Sequence, residues 1–217
     1  MAAHAPARLT RARRAALLRG IYVVLNEAPN VLSIANAALD AGVRILQYRA
    51  KSGPVPATLR ALRALTRDRD ALLVANDDWR AAARHECDGV HLGPGDDGFD
   101  DVAAVRAAQP GLLVGLSCGT VAEALEYGTQ DADYLGVGAV YATASKADAG
   151  APIGIAGLRD VARHTELPIA AIGGITSANL AEVRACGVAM AAVVSAIAAA
   201  PRPGAAAREL VAGWGEE

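Results

Sequence analysis

Short apolar runs punctuate the chain at regular intervals. They are IYVVL (21–25), VRILQY (43–48), ALLVA (71–75), GVHL (89–92), LLVGL (112–116), DYLGVG (133–138), PIAAIG (168–173) and VAMAAVV (188–194). The runs are continuous rather than alternating, which is the signature of parallel strands covered on both faces. Between them lie segments of helical character. Residues 57–69 place Leu59, Leu62 and Leu65 at three-residue spacing. Further helices are expected over 33–40, 79–86, 101–108, 120–127, 155–164, 177–185 and 204–212, several opening on Ser, Thr or Asp and closing near Gly. Eight strands alternating with eight helices predict a (β/α)8 barrel of the TIM type in one domain. The competing open, doubly wound sheet usually carries a Gly-rich dinucleotide turn after its first strand, and here that turn reads NEAPN.

The barrel is expected over residues 20–217, with residues 1–19 as an N-terminal helical segment. That segment is rich in Arg and free of acids, a composition shared by organelle-targeting peptides. Leu17 and Leu18 lead directly into the first strand, which favours a short helix capped by Thr10 and packed against one end of the barrel. Its Arg run is read as a solvated face.

Composition narrows the function. Lys plus Arg is 21 and Asp plus Glu is 23, a formal charge of −2, and aromatic residues are 4%. A nucleic-acid binder usually shows a basic surplus or stacking platforms, and this chain shows neither. No apolar span reaches the length of a membrane helix. The three cysteines, Cys87, Cys118 and Cys186, fit neither a zinc site nor a disulfide framework. A cytoplasmic setting is expected, acting on small molecules, with no nucleic-acid or membrane partner. A homo-oligomer is compatible with the sequence, which does not set its order.

In a barrel the chemistry gathers at the C-terminal ends of the strands. After the second run come Gln47, Arg49 and Lys51, and after the third Asn76 and Asp77. The fourth carries His91 and leads to Asp96, and the fifth ends at Ser117. The sixth leads into a loop with Thr143, Ser145 and Lys146. Adjacent strands bring Asp77 and Asp96 together, and neighbouring carboxylates repel unless a cation or proton lies between them. Mg2+ suits such a pair, because it takes one or two carboxylates and completes its shell with water and phosphate oxygens. Arg49, Lys51 and Lys146 are candidates for the remaining phosphate charge. Asp78 reads as a first-turn acid of the next helix. His91 is read as a packed, hydrogen-bonded histidine, and no nucleophile–base pair stands out. The seventh and eighth runs end in IGGITSAN and VVSAI, where Gly173 and Gly174 permit close backbone approach to an anion. The rim thus offers a metal-assisted diphosphate site beside a monophosphate site.

In this order the motifs resemble those of the thiamine-phosphate synthase family. The resemblance rests on Q-x-R-x-K at Gln47, Arg49 and Lys51, then on NDD, GVHLG with Asp96, and G-x-S at Ser117. DYLGVGAVYATASK, IGGI and VVSAI complete it, so that it spans about residues 20–200. It implies transfer of an aminopyrimidine methylene group from its diphosphate to a thiazole phosphate, with release of pyrophosphate. It also implies Mg2+ on Asp77 and Asp96. Gln47, Tyr48, Arg49, Ala50, Lys51, Asn76, Ser117 and Lys146 would bind the pyrimidine diphosphate, with Arg49, Lys51, Ser117 and Lys146 as the catalytic set. Thr143, Ala144, Ser145, Gly174, Val194 and Ser195 would hold the thiazole phosphate.

The chain departs from the family pattern at Pro94-Gly95, which leaves Asp96 and Asp97 as rival metal ligands. It also departs at Ala142 and at Leu25-Asn26. Two alternatives remain. One is the related thiazole tautomerase branch, which carries a histidine where this chain has Gly119 and tends to lose the metal carboxylates. The other is a catalytically silent phosphate-binding barrel.

Overall fold

The structure, a computed structural model, describes residues 10–145 and 150–215. Helix α1 spans Arg11–Ala15. Eight strands then alternate with helices: β1 (Gly20–Asn26), α2 (Val31–Asp40), β2 (Ile45–Arg49), α3 (Pro56–Arg67), β3 (Leu72–Asn76), α4 (Trp79–Arg84), β4 (Gly89–Leu92) and α5 (Val102–Ala108). There follow β5 (Leu113–Cys118), α6 (Val121–Tyr127), β6 (Tyr134–Val137), α7 (Gly154–Arg163), β7 (Ile169–Ile172), α8 (Leu180–Arg184), β8 (Met190–Val193), α9 (Ser195–Ala198) and α10 (Pro203–Trp214). The strands pair in chain order, all parallel, and β1 closes on β8, giving the expected barrel.

The reason for the continuous apolar runs is visible in the two cores. One side of each strand packs under the helices, with Val23, Leu46, Leu73, Val90, Val114, Leu135, Ala171 and Ala191 in this outer layer. The other side fills the barrel interior with Tyr22, Ile45, Leu72, Leu113, Tyr134, Ala170 and Met190. The parity along each strand therefore decides which residues enter the barrel.

Two elements differ from expectation. The helix foreseen over 177–185 begins only at Leu180, because the Asn179 side chain holds the preceding turn. Its Oδ1 accepts from Thr176 N–H at 2.8 Å and its Nδ2 donates to the Gly174 carbonyl at 3.0 Å. The short α9 is an addition, formed where the eighth apolar run leaves the barrel.

Helix α1 is capped by Thr10, whose hydroxyl accepts from Arg13 N–H. It closes the N-terminal end of the barrel, with Leu17 and Leu18 packed into the interior core. The Arg run is the expected solvated face only in part: Arg13 and Arg19 are exposed, but Arg11 and Arg14 turn inward. Arg14 is 5% exposed and pairs with buried Asp88 at 3.2 Å, while Arg11 donates to buried Asp133 at 2.7 Å. These two acids stand immediately before β4 and β6, at the barrel floor, and their charge draws the arginines in. Among the described residues no helix is long and apolar enough to cross a membrane.

Candidate active site

The C-terminal mouth of the barrel holds a cavity of about 650 Å3. Strand parity selects its walls. Gln47 and Arg49 face it from β2, Asn76 from β3, His91 from β4 and Ser117 from β5. Asp77 and Asp96 line the same cavity, as do Thr143, Ser145, Gly174, Val194 and Ser195. Most of the expected site is thereby brought into one space.

Four expected residues are not among the cavity walls. Tyr48 has the opposite parity from Gln47 and Arg49 and is buried in the outer layer. Its hydroxyl donates to the Glu27 carboxylate and accepts from Val55 N–H at 3.2 Å. Burial, then the bond to Glu27, raises its pKa. Ala50 also packs against the outer layer, Lys51 stands exposed in the turn after β2, and Ala144 is exposed. Lys146 lies outside the described residues.

The three polar residues after β3 have separate roles. Asn76 ends the strand and faces the cavity. Asp77 adopts φ +67°, a left-handed conformation that Asp tolerates better than most residues. Its backbone N–H donates to the His91 carbonyl at 2.9 Å, which ties it to the neighbouring strand. Asp78 caps α4, accepting from Ala81 N–H at 2.7 Å.

Asp96 and Asp97 have different surroundings: Asp96 lines the mouth cavity, and Asp97 lies with Asp77, Trp79 and Arg80 at a shallower surface hollow. Asp96 accepts from Gly93 N–H at 2.7 Å, a turn that holds its carboxylate at the cavity. Asp97 is turned away onto the surface, where it accepts from Trp79 Nε1–H at 2.8 Å and pairs with Arg80.

Across the mouth, Gly173 and Gly174 have φ of +104° and +65°. A side chain at Gly174 would come within 2.7 Å of the Ala142 carbonyl and of Tyr141 Cβ. The glycines thus let the β7–α8 turn lie directly on the β6–α7 loop. That loop is pinned at both ends, with Tyr141 N–H bonded to the Gly173 carbonyl and Ile153 N–H to the Ala139 carbonyl.

Several cavity residues went unforeseen. Asn26 lines the wall and accepts from Arg49 Nη1 at 3.3 Å. Tyr22 and Tyr134 rise from the interior core to the cavity floor. His91 is hydrogen-bonded, as expected, but its Nε2 lies 3.2 Å from Ser117 Oγ, a pairing not anticipated. The signal was the inward parity of the strands, since Tyr22, His91 and Tyr134 share it with Gln47 and Ser117. Cys118, adjoining Ser117, is buried, and that burial pushes its thiol pKa up to about 11, the direction opposite to an activated thiol.

A closed parallel barrel with its polar side chains gathered at the C-terminal mouth defines a (β/α)8-barrel enzyme. The thiamine-phosphate synthase of Archaeoglobus fulgidus is 46% identical to this chain over 183 residues, covering 82% of the chain and 84% of that protein. A thiamine biosynthesis bifunctional protein, ThiM/ThiE, of Symbiobacterium thermophilum is 43% identical over 196 residues. Those residues are 88% of this chain and 40% of that protein's length. The solved structure of a thiamine phosphate pyrophosphorylase from Pyrococcus furiosus superposes with a TM-score of 0.83 at 34% identity. The match covers 91% of this chain and 96% of that one. The family model for thiamine monophosphate synthase matches residues 21–197. The chain belongs to that family, and its function is thiamine-phosphate synthesis, a transferase reaction of thiamine biosynthesis on small-molecule substrates. Neither the tautomerase nor the silent-barrel alternative is favoured by these relatives.

Proposed function

We propose that the mouth cavity holds an aminopyrimidine diphosphate and a thiazole phosphate side by side and joins them with the help of Mg2+. The observation that carries this reading is the shared space. One cavity of about 650 Å3 is walled by Arg49, Asn76, Asp77, Asp96 and Ser117 on one side. On the other stand Thr143, Ser145, Gly174, Val194 and Ser195. That volume lies in the range of small-molecule sites, roughly 300–1,000 Å3.

The donor set fits Mg2+. Asp77 and Asp96 supply hard carboxylate oxygens at adjacent strand ends. Among the described residues no group of three or more His, Cys, Asp or Glu forms a complete protein cage. Two carboxylates, with the remaining positions left to water and phosphate oxygens, is the arrangement Mg2+ tolerates best. When bound, the ion neutralises charge on the diphosphate.

The protein's own part is positioning and electrostatics. The bond from the pyrimidine methylene to the diphosphate oxygen breaks with both electrons leaving on oxygen, and the aminopyrimidine stabilises the cation that remains. The thiazole nitrogen lone pair then forms the new bond to the methylene. Arg49, Asn76 and Ser117 provide donors to the departing oxygens, and the glycine turn with Thr143 and Ser145 holds the second phosphate in line. Lys51 and Lys146 enter this reading through the family resemblance alone. The purified protein should form thiamine phosphate from the two precursors with Mg2+ and should stop on chelation. No product at high enzyme concentration with Mg2+ present would sink the reading.

A further inference from the structure

Under the cavity, an unbroken chain of hydrogen bonds ties five strands together. On β2, Gln47 Nε2 donates to the Tyr22 hydroxyl of β1 at 2.8 Å. The Tyr22 hydroxyl lies 2.9 Å from that of Tyr134 on β6. The Tyr134 hydroxyl is 3.2 Å from His91 Nδ1 on β4, and His91 Nε2 is 3.2 Å from Ser117 Oγ on β5. The backbone makes room for these rings. A side chain at Gly115 would collide with the Tyr134 ring, and one at Gly136 would come within 2.6 Å of His91 Cε1.

The chain has a direction, and the buried protons set it. Among the described residues the Tyr22 hydroxyl meets two polar groups, Gln47 Nε2 and the Tyr134 hydroxyl. The amide nitrogen accepts nothing, so the Tyr22 proton points to the Tyr134 oxygen. The Tyr134 proton is then directed to His91 Nδ1. An imidazole whose Nδ1 accepts a hydrogen bond carries its proton on Nε2, which donates to Ser117 Oγ. The Ser117 proton is left to face the cavity. The reverse direction would strand the proton of buried Tyr22 without an acceptor, at a cost of about 1–3 kcal/mol. Burial also raises the pKa of both phenols, which keeps their protons in place.

We infer that this chain fixes Ser117 as a hydrogen-bond donor toward the cavity, with His91 in its Nε2–H form as the positioning residue. The nitrogen that faces Ser117 already holds a proton, so the close Ser117–His91 pair is not a nucleophile and its base. Ser117 is instead oriented toward an acceptor that gains negative charge, which is what a departing diphosphate oxygen does. This last step rests on the proposal that Ser117 faces the diphosphate; the polarity of the chain does not.

The tautomer is measurable without turnover. Long-range 1H–15N correlation on protein labelled with 15N-histidine, with His91 assigned by loss of its signals in His91→Gln, should show the proton on Nε2. Tyr134→Phe, which removes the donor to Nδ1, should abolish that preference. The same variant should lower kcat about tenfold, with KM for the pyrimidine diphosphate within about twofold, because the lost orientation matters most as charge develops. Added to Ser117→Ala, it should change kcat by less than about twofold, since its effect runs through the serine hydroxyl. A proton on Nδ1, or on both nitrogens, in the unmodified protein overturns the polarity, and that reading stands whether or not Tyr134→Phe folds. Full additivity of the two substitutions overturns the positioning role. An Nε2–H tautomer with near-normal turnover in Ser117→Ala overturns instead the placement of the diphosphate at Ser117.

Discussion

The two ends of this barrel use the same residue types for opposite purposes. At the floor, Asp88 lies between Arg14 and Arg63 and accepts from Leu73 N–H, and Asp133 lies between Arg11 and Arg106 and accepts from Val114 N–H. At the mouth, Asp77 and Asp96 border an open cavity with Arg49 on its wall. Acids whose charges are matched within the fold belong to stability. Acids held by backbone geometry at the edge of a cavity are the ones the proposed function assigns to a ligand. The difference shows why a count of Asp and Arg along the chain says little until the end of the strand each one occupies is known.

Breaking the floor should have the largest effect. Asp88 is 3% exposed, and its removal leaves Arg14 and Arg63 without their shared partner. Asp88→Ala should cost about 3–5 kcal/mol, the range for breaking a buried pair from one side. For a chain of this size that is a fall of roughly 10 °C in Tm. Thermal unfolding measures it, and kcat well below the transition should stay within about twofold of the unmodified protein's, since the change is at the far end from the cavity. A Tm within two or three degrees of the original would show that the floor network is not the brace described.

The mouth should respond in the opposite way. Asp77→Asn keeps a residue that tolerates the left-handed backbone while removing the charge. Asp96→Asn keeps an oxygen to accept from Gly93. Each should lower kcat at least about 100-fold, equivalent to roughly 2.7 kcal/mol of lost transition-state stabilisation, with little change in Tm. Asp97→Ala, on the outer surface, should leave kcat within about twofold. Steady-state rates across a Mg2+ titration separate the cases. A larger loss in Asp97→Ala than in Asp96→Asn would reverse the assignment of the two carboxylates.

The chain's periodicity made the barrel plain, because eight doubly buried strands leave an unmistakable spacing of apolar runs. Most of the candidate site was legible too, since Gln47, Arg49, Asn76, Asp77, Asp96 and Ser117 stand where an apolar strand turns polar. What escaped was parity. Gln47 and Arg49 enter the cavity while Tyr48 between them does not, and no hydropathy signal separates them, because both faces of β2 are buried. The floor network escaped for a different reason. Arg14 and Asp88 are 74 positions apart, and each alone reads as a surface charge; only closure of the barrel brings them together.

The smallest effect should come from the rim of that floor. Asp131 pairs with both Arg11 and Arg106, at 2.8 and 3.1 Å, so by contact it resembles Asp88. It differs in its surroundings, since its side chain is 59% exposed and water screens both pairs. The Arg11 hydrogen bond, followed by the charges of Arg11 and Arg106, holds the Asp131 carboxyl below the usual range. A folded-state pKa below the unfolded one means that this contribution is present above the unfolded pKa and fades as pH falls through the folded value. Asp131→Asn should therefore change stability by less than about 1 kcal/mol near neutral pH. The difference should shrink as pH falls below the ordinary Asp range, vanish only below the folded-state value, and shrink at high salt. Denaturant unfolding at pH 7 and at pH 3, with and without added salt, measures it. A loss at pH 7 as large as that of Asp88→Ala would mean that burial is not what separates the two acids, and that both arginines draw their hold from the same exposed carboxylate.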